Sequence, residues 1–316
     1  MSGQTQHKVR LLRIGEEADA QRIDNFLMKH LKGVPKSHIY RLLRSGQVRV
    51  NGKRIKQNFR LSVGDEVRIP PVRTSQTATP GKLSDQQKQR LNDAILYEDK
   101  RLLVINKPSG IAVHGGSGIS LGVIEQLRLL RTDEKGLELV HRLDRATSGL
   151  LMIAKRRSAL RTLHTLQREN RIRKSYLALV AGDWPGNRMR VDAPLKKNLL
   201  RGGERIVTVD EDGKPASTLF RIKEQFRNCM LVEAELLTGR THQIRVHAAH
   251  LGTPIIGDEK YGDDEINRRY RQLGLKRLFL HAWQLAFEWG EEGKMLKLVA
   301  PLEPALEQLL TTLRET

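Results

Sequence analysis

The chain has 316 residues, a mass of 36.0 kDa and one cysteine, so two domains are expected and an intrachain disulfide or cysteine-built zinc site is excluded. With 39% hydrophobic residues it can build a large core, yet no apolar run approaches the ~20 residues of a spanning helix, and no apolar segment follows the polar stretch Met1–Arg10. The net charge of +20 calls for an anionic partner; without a Trp- or Phe-rich basic helix, nucleic acid is favoured over a membrane.

Residues 1–19 read as a polar tail and first strand. Ile23, Phe26, Leu27 and Leu31 recur at helical spacing, with Gly33 and Pro35 as the stop. Ser37 is positioned to cap a second helix carrying Ile39, Leu42 and Leu43, which ends at Gly46. Gln47 to Val50 alternates as a strand, Asn51-Gly52 is a hairpin turn, and Glu66 to Ile69 forms a further strand after Gly64-Asp65. Residues 20–73 hold 13 Lys/Arg against 3 Asp/Glu, half the net charge in a sixth of the chain. Lys36, Arg41, Arg44, Arg49, Lys53, Arg54 and Lys56 cluster at the helix–hairpin junction as candidate RNA contacts. Pro70 to Arg90 is polar and irregular, so residues 74–91 are assigned to a flexible linker and 92–316 to a second domain.

In that second domain Ile95-Leu96-Tyr97 and Leu102 to Ile105 read as buried strands, and Leu121 to Leu130 as a helix. So does Ser158 to Glu169, with Leu160, Leu163 and Leu166 on one face. Strands are expected near Tyr176–Val180, Ser217–Ile222, Met230–Leu236 and Lys294–Val299, and a last helix aligns Leu302, Leu306, Leu309, Leu310 and Leu313. Strands dominate and helices are irregularly interspersed, which predicts an α+β fold rather than a doubly wound sheet. Cys229 reads as a small core residue, in keeping with a reducing, cytoplasmic compartment.

Four stretches stand out chemically. In His141-Arg142-Leu143-Asp144-Arg145-Ala146-Thr147-Ser148-Gly149, Asp144 sits in a polar turn between two arginines ahead of an apolar strand. A turn aspartate ordinarily bonds its own backbone. The sharper reading is a lone catalytic carboxylate, since the paired carboxylates of an aspartic-protease site have no second copy here. In Gly239-Arg240-Thr241-His242-Gln243-Ile244-Arg245-Val246-His247, an arginine facing a buried Asp would hold its charge and orientation. His247 and His250 could share a helix face, but HExxH spacing, cysteine ligands and an acidic cluster are missing, so no metal is expected. Asn106-Lys107-Pro108-Ser109-Gly110 with His114-Gly115-Gly116-Ser117-Gly118 lacks a phosphate-loop pattern and reads as a flexible loop over a cleft. Tyr176 opens a strand after Arg173-Lys174.

Residues 22–53 resemble the S4 RNA-binding domain. The four stretches together, with Arg277-Leu278-Phe279-Leu280-His281-Ala282, resemble the RluA family of pseudouridine synthases from about Ile95 to the C-terminus. The resemblance implies a mixed, mainly antiparallel catalytic domain beside a small S4-like αα/β domain. It also implies cofactor-free isomerisation of uridine to pseudouridine, with 23S rRNA in a ribosome-assembly precursor as partner. A monomer acting on neither membrane nor DNA is expected. By resemblance Asp144 is the catalytic carboxylate, either attacking C1′ or starting an elimination across the ribose, and Arg245 is its partner. Tyr176 stacks on the uracil and assists proton removal from C5. Leu280 packs on the base, while Arg142 and His141 contact substrate. Two other readings stay open at this point: a non-catalytic S4-type assembly factor and a tRNA-directed synthase.

Overall fold

The computed structural model describes residues 9–31, 34, 36–72, 83–115, 121–199, 205–290 and 292–315. It divides into two compact units, Met1–Lys82 and Leu83–Thr316.

The first unit holds β1 (Arg10–Arg13), α1 (Ile23–His30), α2 (Lys36–Arg44), β2 (Arg49–Val50), β3 (Lys53–Arg54) and β4 (Glu66–Ile69). Its antiparallel sheet runs β1-β4-β2-β3. Both helices turn their apolar stripes inward, so Ile23, Phe26, Leu27, Ile39, Leu42 and Leu43 meet Val48, Val50, Val67 and Ile69 in a separate core. The Asn51-Gly52 turn adopts the positive φ values (50° and 73°) that a tight hairpin requires. Ser37 lies inside the first turn of α2 rather than at its cap; the expected helix stop at Gly33 and Pro35 lies outside the described residues.

The second unit contains α3 (Asp85–Asp93), β5 (Ile95–Glu98), β6 (Leu102–Lys107), α4 (Val123–Leu130), β7 (Glu138–Leu139), β8 (Ser148–Ala154), α5 (Arg157–Arg168), β9 (Arg173–Ala181), β10 (Arg188–Asp192), β11 (Leu195–Leu199), β12 (Arg205–Val209), β13 (Ser217–Gln225), β14 (Cys229–Leu236), α6 (Gln243–His250), α7 (Asp264–Gln272), β15 (Leu280–Trp289), β16 (Lys294–Val299) and α8 (Pro304–Arg314). The main sheet runs β10-β13-β14-β9-β15-β8-β6-β5, with β16 on β15 and β7 on β8; β11 and β12 form a separate hairpin. Among the described residues only the β15–β8 pairing is parallel, so the expected mixed, mainly antiparallel α+β architecture is what the chain adopts. Cys229 is fully buried. Among the described residues no helix is long and apolar enough to cross a membrane.

Two local expectations are corrected. Residues 74–82 lie outside the described residues, but the end of the expected linker is a helix. Ser84 Oγ accepts from Gln87 N–H at 3.2 Å and Gln87 Oε1 accepts from Ser84 N–H at 2.9 Å, a reciprocal cap that starts α3. Leu83 and Leu91 bury against the main core, and the polar composition between them hides the helix. Strand β5 is half-buried, not buried, because it forms the sheet edge; Leu96 is 37% exposed.

Candidate active site

Four adjacent central strands, β14-β9-β15-β8, converge on one cavity of about 340 Å³. Asp144 enters it from the turn before β8, where its carbonyl accepts from Thr147 N–H at 3.1 Å. Tyr176 comes from β9, Leu280 from the start of β15, and Arg245 from the first turns of α6. The register aligns Tyr176 with Ala282 of β15, and Ala282 with Gly149 of β8. Gly149 takes φ +105°, and a Cβ there would lie 2.2 Å from Ala282 O, so the close strand contact that sets the Asp144 turn needs glycine.

The carboxylate of Asp144 is 29% exposed, open enough for a ligand to reach. Arg245 Nη1 donates to its Oδ2 at 3.1 Å. The same guanidinium forks onto Asp258, Nε to Oδ2 and Nη2 to Oδ1, both at 2.7 Å. It also lies over the Tyr261 ring, 5.0 Å from the centroid. Burial opposes the charge of Arg245, but Asp258 and Asp144 outweigh it and raise the guanidinium above its ordinary pKa. Asp258, with its side chain 1% exposed, is likewise opposed by burial, yet Arg245 and the backbone N–H groups of Lys260 and Tyr261 hold it below the usual carboxylate range. His242 Nε2 stands 3.7 Å from the same Oδ2 of Asp144. Among the described residues no donor reaches Oδ1, so one carboxylate oxygen is anchored and the other is available for chemistry.

The phenol of Tyr176 is pushed up, first by burial and then by Asp144, and so stays protonated. Leu280, 4% exposed, supplies an apolar wall, while Arg142 is exposed at the rim. His141 lines the cavity, but its Nε2 accepts from Met152 N–H at 3.1 Å and burial lowers its pKa to about 3. It is a neutral ring that pins the loop to β8 through Nε2 while forming part of the cavity wall. Lys174 lies in the wall this cavity shares with a neighbouring one, and burial lowers its ammonium to about 8.

Sequence neighbours prove poor guides to the cation at Asp144. Arg145 turns away, its Nε donating to Gly110 O at 2.8 Å. Asn106 to Gly110 is therefore no loose loop; it clamps the far side of the Asp144 turn. Ser109 Oγ donates to Ala146 O at 2.8 Å, and Gly110 N–H to Arg145 O at 2.8 Å. Fully buried Lys107 sets Nζ against the carbonyls of Pro108, Ile111 and Arg145 at 2.8, 3.0 and 3.3 Å, of which a neutral amine still serves two. Residues 116–118 of the expected glycine-rich loop lie outside the described residues. His247 and His250 do not converge. His247 is buried between Thr218 Oγ1 and Ala193 O, whereas His250 is exposed.

Burial lowers the Lys107 ammonium from its ordinary 10.5 to about 7. Between those values the unfolded chain holds a proton that the folded chain has released, so stability rises with pH. Relative to Lys107→Met, the unfolding free energy of the wild type is expected to increase from pH 7 to pH 9, by up to about 1.4 kcal/mol per unit. Urea titrations at the two values check this; a flat difference means that Lys107 keeps its proton.

Asp258 and Tyr261 escaped the sequence reading. The available signal was an acid and an aromatic between two glycines, Gly257-Asp258-Glu259-Lys260-Tyr261-Gly262, with Gly257 at φ +80° tight against Arg277 O.

The seven basic residues expected on RNA are all exposed on the first unit. Arg44, Arg54 and Lys56 line one groove of about 740 Å³ together with Arg22, and Arg54 Nη2 donates to Arg44 O. Lys36 packs over Tyr40, and Arg49 bonds the carbonyls of Gly46 and Gly52, both at 3.3 Å.

Comparison with known proteins bears on both units. A family model described as RNA pseudouridylate synthase matches residues 101–250, and an S4 domain model matches residues 21–67. The chain is 54% identical over 308 residues to ribosomal large subunit pseudouridine synthase C of Pasteurella multocida, covering 97% of this chain and 94% of that protein. It is 52% identical over 309 residues to the protein of the same name from Escherichia coli K12, covering 97% of each. Among solved structures, human RNA pseudouridylate synthase domain containing 4 superposes with a TM-score of 0.60 at 28% identity, covering 73% of this chain and 98% of that one. Human RNA pseudouridylate synthase domain containing 1 gives 0.56 at 28% identity, covering 71% and 95%.

Proposed function

The chain belongs to the RNA pseudouridylate synthase family, and we propose that it isomerises uridines of large-subunit (23S) ribosomal RNA to pseudouridine with Asp144 as nucleophile. The observation that carries the site assignment is the asymmetry of Asp144, with Oδ2 held by Arg245 at 3.1 Å and Oδ1 without a donor among the described residues. Oδ1 attacks C1′ as the N1–C1′ bond breaks. The freed uracil turns, C5 bonds to C1′ and the carboxylate leaves; the C5 proton passes to solvent water, and N1 takes one proton from water in return. Atoms and electrons balance within one nucleotide, so the reaction calls for no oxidant, reductant or group donor.

The base must leave its stack for these atoms to be reached, at a cost of a few kcal/mol and less in an unpaired loop. Arg142 at the rim fills the vacated space, Leu280 packs on the uracil, and Tyr176 stacks on it. Tyr176, buried in the cavity wall, is placed both to stack on the uracil and to assist removal of the C5 proton. Lys174 offers the RNA backbone a cation in the wall beside the cavity. The same reading puts the enzyme in the cytoplasm, acting as a monomer on a ribosome-assembly precursor.

The chemistry replaces C5–H by C5–C1′, so RNA carrying tritium at uridine C5 should release label to water. Release from 23S transcripts and none from tRNA is the expected result. Release from tRNA alone would redirect the substrate, and release from neither would support a binding-only role.

The S4 unit is proposed to hold phosphates through its exposed cations. Replacing Arg44, Arg54 and Lys56 together by glutamine should flatten the slope of log affinity against log salt by about 2 to 3 units, with little change in the rate of bound RNA. An unchanged slope in filter-binding titrations would place the phosphates elsewhere.

A further inference from the structure

We propose that His242 is a positioning residue for Asp144, fixed in one tautomer by Tyr261 so that its Nε2–H faces the carboxylate. The inference rests on the reading of Asp144 as nucleophile. Its geometry begins at the β11–β12 hairpin, where Val207 N–H donates to Tyr261 Oη at 3.0 Å. Tyr261 Oη lies 2.7 Å from His242 Nδ1. With one lone pair occupied by Val207, the phenol satisfies its own proton by donating it to Nδ1. The neutral imidazole then carries its hydrogen on Nε2, the nitrogen 3.7 Å from Asp144 Oδ2. That gap is longer than a hydrogen bond, but catalytic contacts of this kind tighten when substrate closes the site.

Three further observations agree. His242 is the N-cap of α6 yet its side chain caps nothing, so the ring is committed to the relay. Its backbone sits at φ +54°, a strained conformation for a non-glycine residue of the sort found at functional sites. The His242 and Tyr261 rings meet edge to face, centroids 5.5 Å apart, and the Arg245 guanidinium lies over the Tyr261 ring, 5.0 Å from its centroid. The charged groups around the imidazole are Asp144, Arg245, Lys260 and Asp258. Burial, seconded by Arg245 and Lys260, outweighs the pull of Asp144 and Asp258 and lowers its pKa, which favours the neutral ring.

The consequence lies in both halves of the reaction. When the C1′–Oδ1 bond breaks, negative charge returns to the carboxylate, and a second donor at Oδ2 beside Arg245 stabilises it. This donor orients the carboxylate before attack and stabilises it again on release, and it makes no contact with RNA, so its loss should lower kcat and leave KM alone.

The test uses the full chain with 15N-labelled histidine together with tritium-release kinetics. In the free wild type, the His242 signal should report a neutral ring with Nδ1 bare and Nε2 protonated. Tyr261→Phe should introduce the other tautomer or a protonated ring, with an added titration on the acid side of its pH–rate profile. His242→Ala should lose about 100-fold in kcat with KM within twofold, and His242→Gln, whose amide N–H reaches the same side, should recover at least tenfold of that. A hydrogen on Nδ1 in the wild type, or wild-type kcat in His242→Ala, would overturn the proposal. If the wild type released no tritium from any RNA, the functional reading would fail instead, and the tautomer measurement would still decide the relay.

Discussion

Asp144→Asn is expected to lose at least about 10⁴-fold in turnover while binding RNA within threefold of the wild type. Asparagine keeps the shape of the side chain and an oxygen for Arg245 Nη1, now 3.1 Å from Oδ2, so the cavity is preserved. What it lacks is the negative charge and lone-pair strength to displace a uracil from C1′. Most RNA affinity comes from cations on phosphates, which the substitution leaves in place. The measurement is single-turnover tritium release beside a filter-binding titration on the same transcript. Retained turnover would remove Asp144 from the reaction, whereas a parallel collapse of binding would make it a structural residue.

The second large effect concerns stability. Arg245→Leu is expected to destabilise the second unit by about 3–5 kcal/mol, because Asp258 would stay buried and lose both of its charge-assisted bonds. Adding Asp258→Leu removes the stranded charge. The double variant should regain much of the stability, since apolar residues replace buried ion pairs at little cost. It should not regain activity, because Oδ2 of Asp144 still lacks its donor. Urea unfolding and tritium release on the four members of this cycle separate the two roles of Arg245. Equal stability of the single and double variants would mean that Asp258 is hydrated once its partner is gone.

This division explains what could be read in the chain beforehand. Apolar periodicity located β6, β8, β9, β14, β16, α5 and α8 to within a few residues, because each packs one apolar face or both against buried clusters of the second unit. The structure brings Asp144, Tyr176, Arg245, Leu280 and Arg142 to one cavity, as their motifs suggested. Polar partnerships were less legible. Nothing in the spacing of Arg142-Leu143-Asp144-Arg145 shows that Arg145 turns back to Gly110 while an arginine 101 residues away supplies the cation. The loop of Asp258 and Tyr261 carries no periodic signal; its carboxylate is organised by its own backbone N–H groups and by Arg245, which only the folded chain brings near. Helix α3 was missed for a related reason, since it buries little beyond Leu91 and is set by a reciprocal side-chain cap.

The central claim is that one aspartate of this chain converts uridine to pseudouridine in large-subunit RNA. Pseudouridine mapping of total RNA tests it most directly, in cells lacking the gene and complemented with wild type or Asp144→Asn. The account predicts that defined 23S positions lose their modification on deletion, regain it with wild type and stay unmodified with Asp144→Asn. An identical map in all the strains, or restoration by Asp144→Asn, would contradict it.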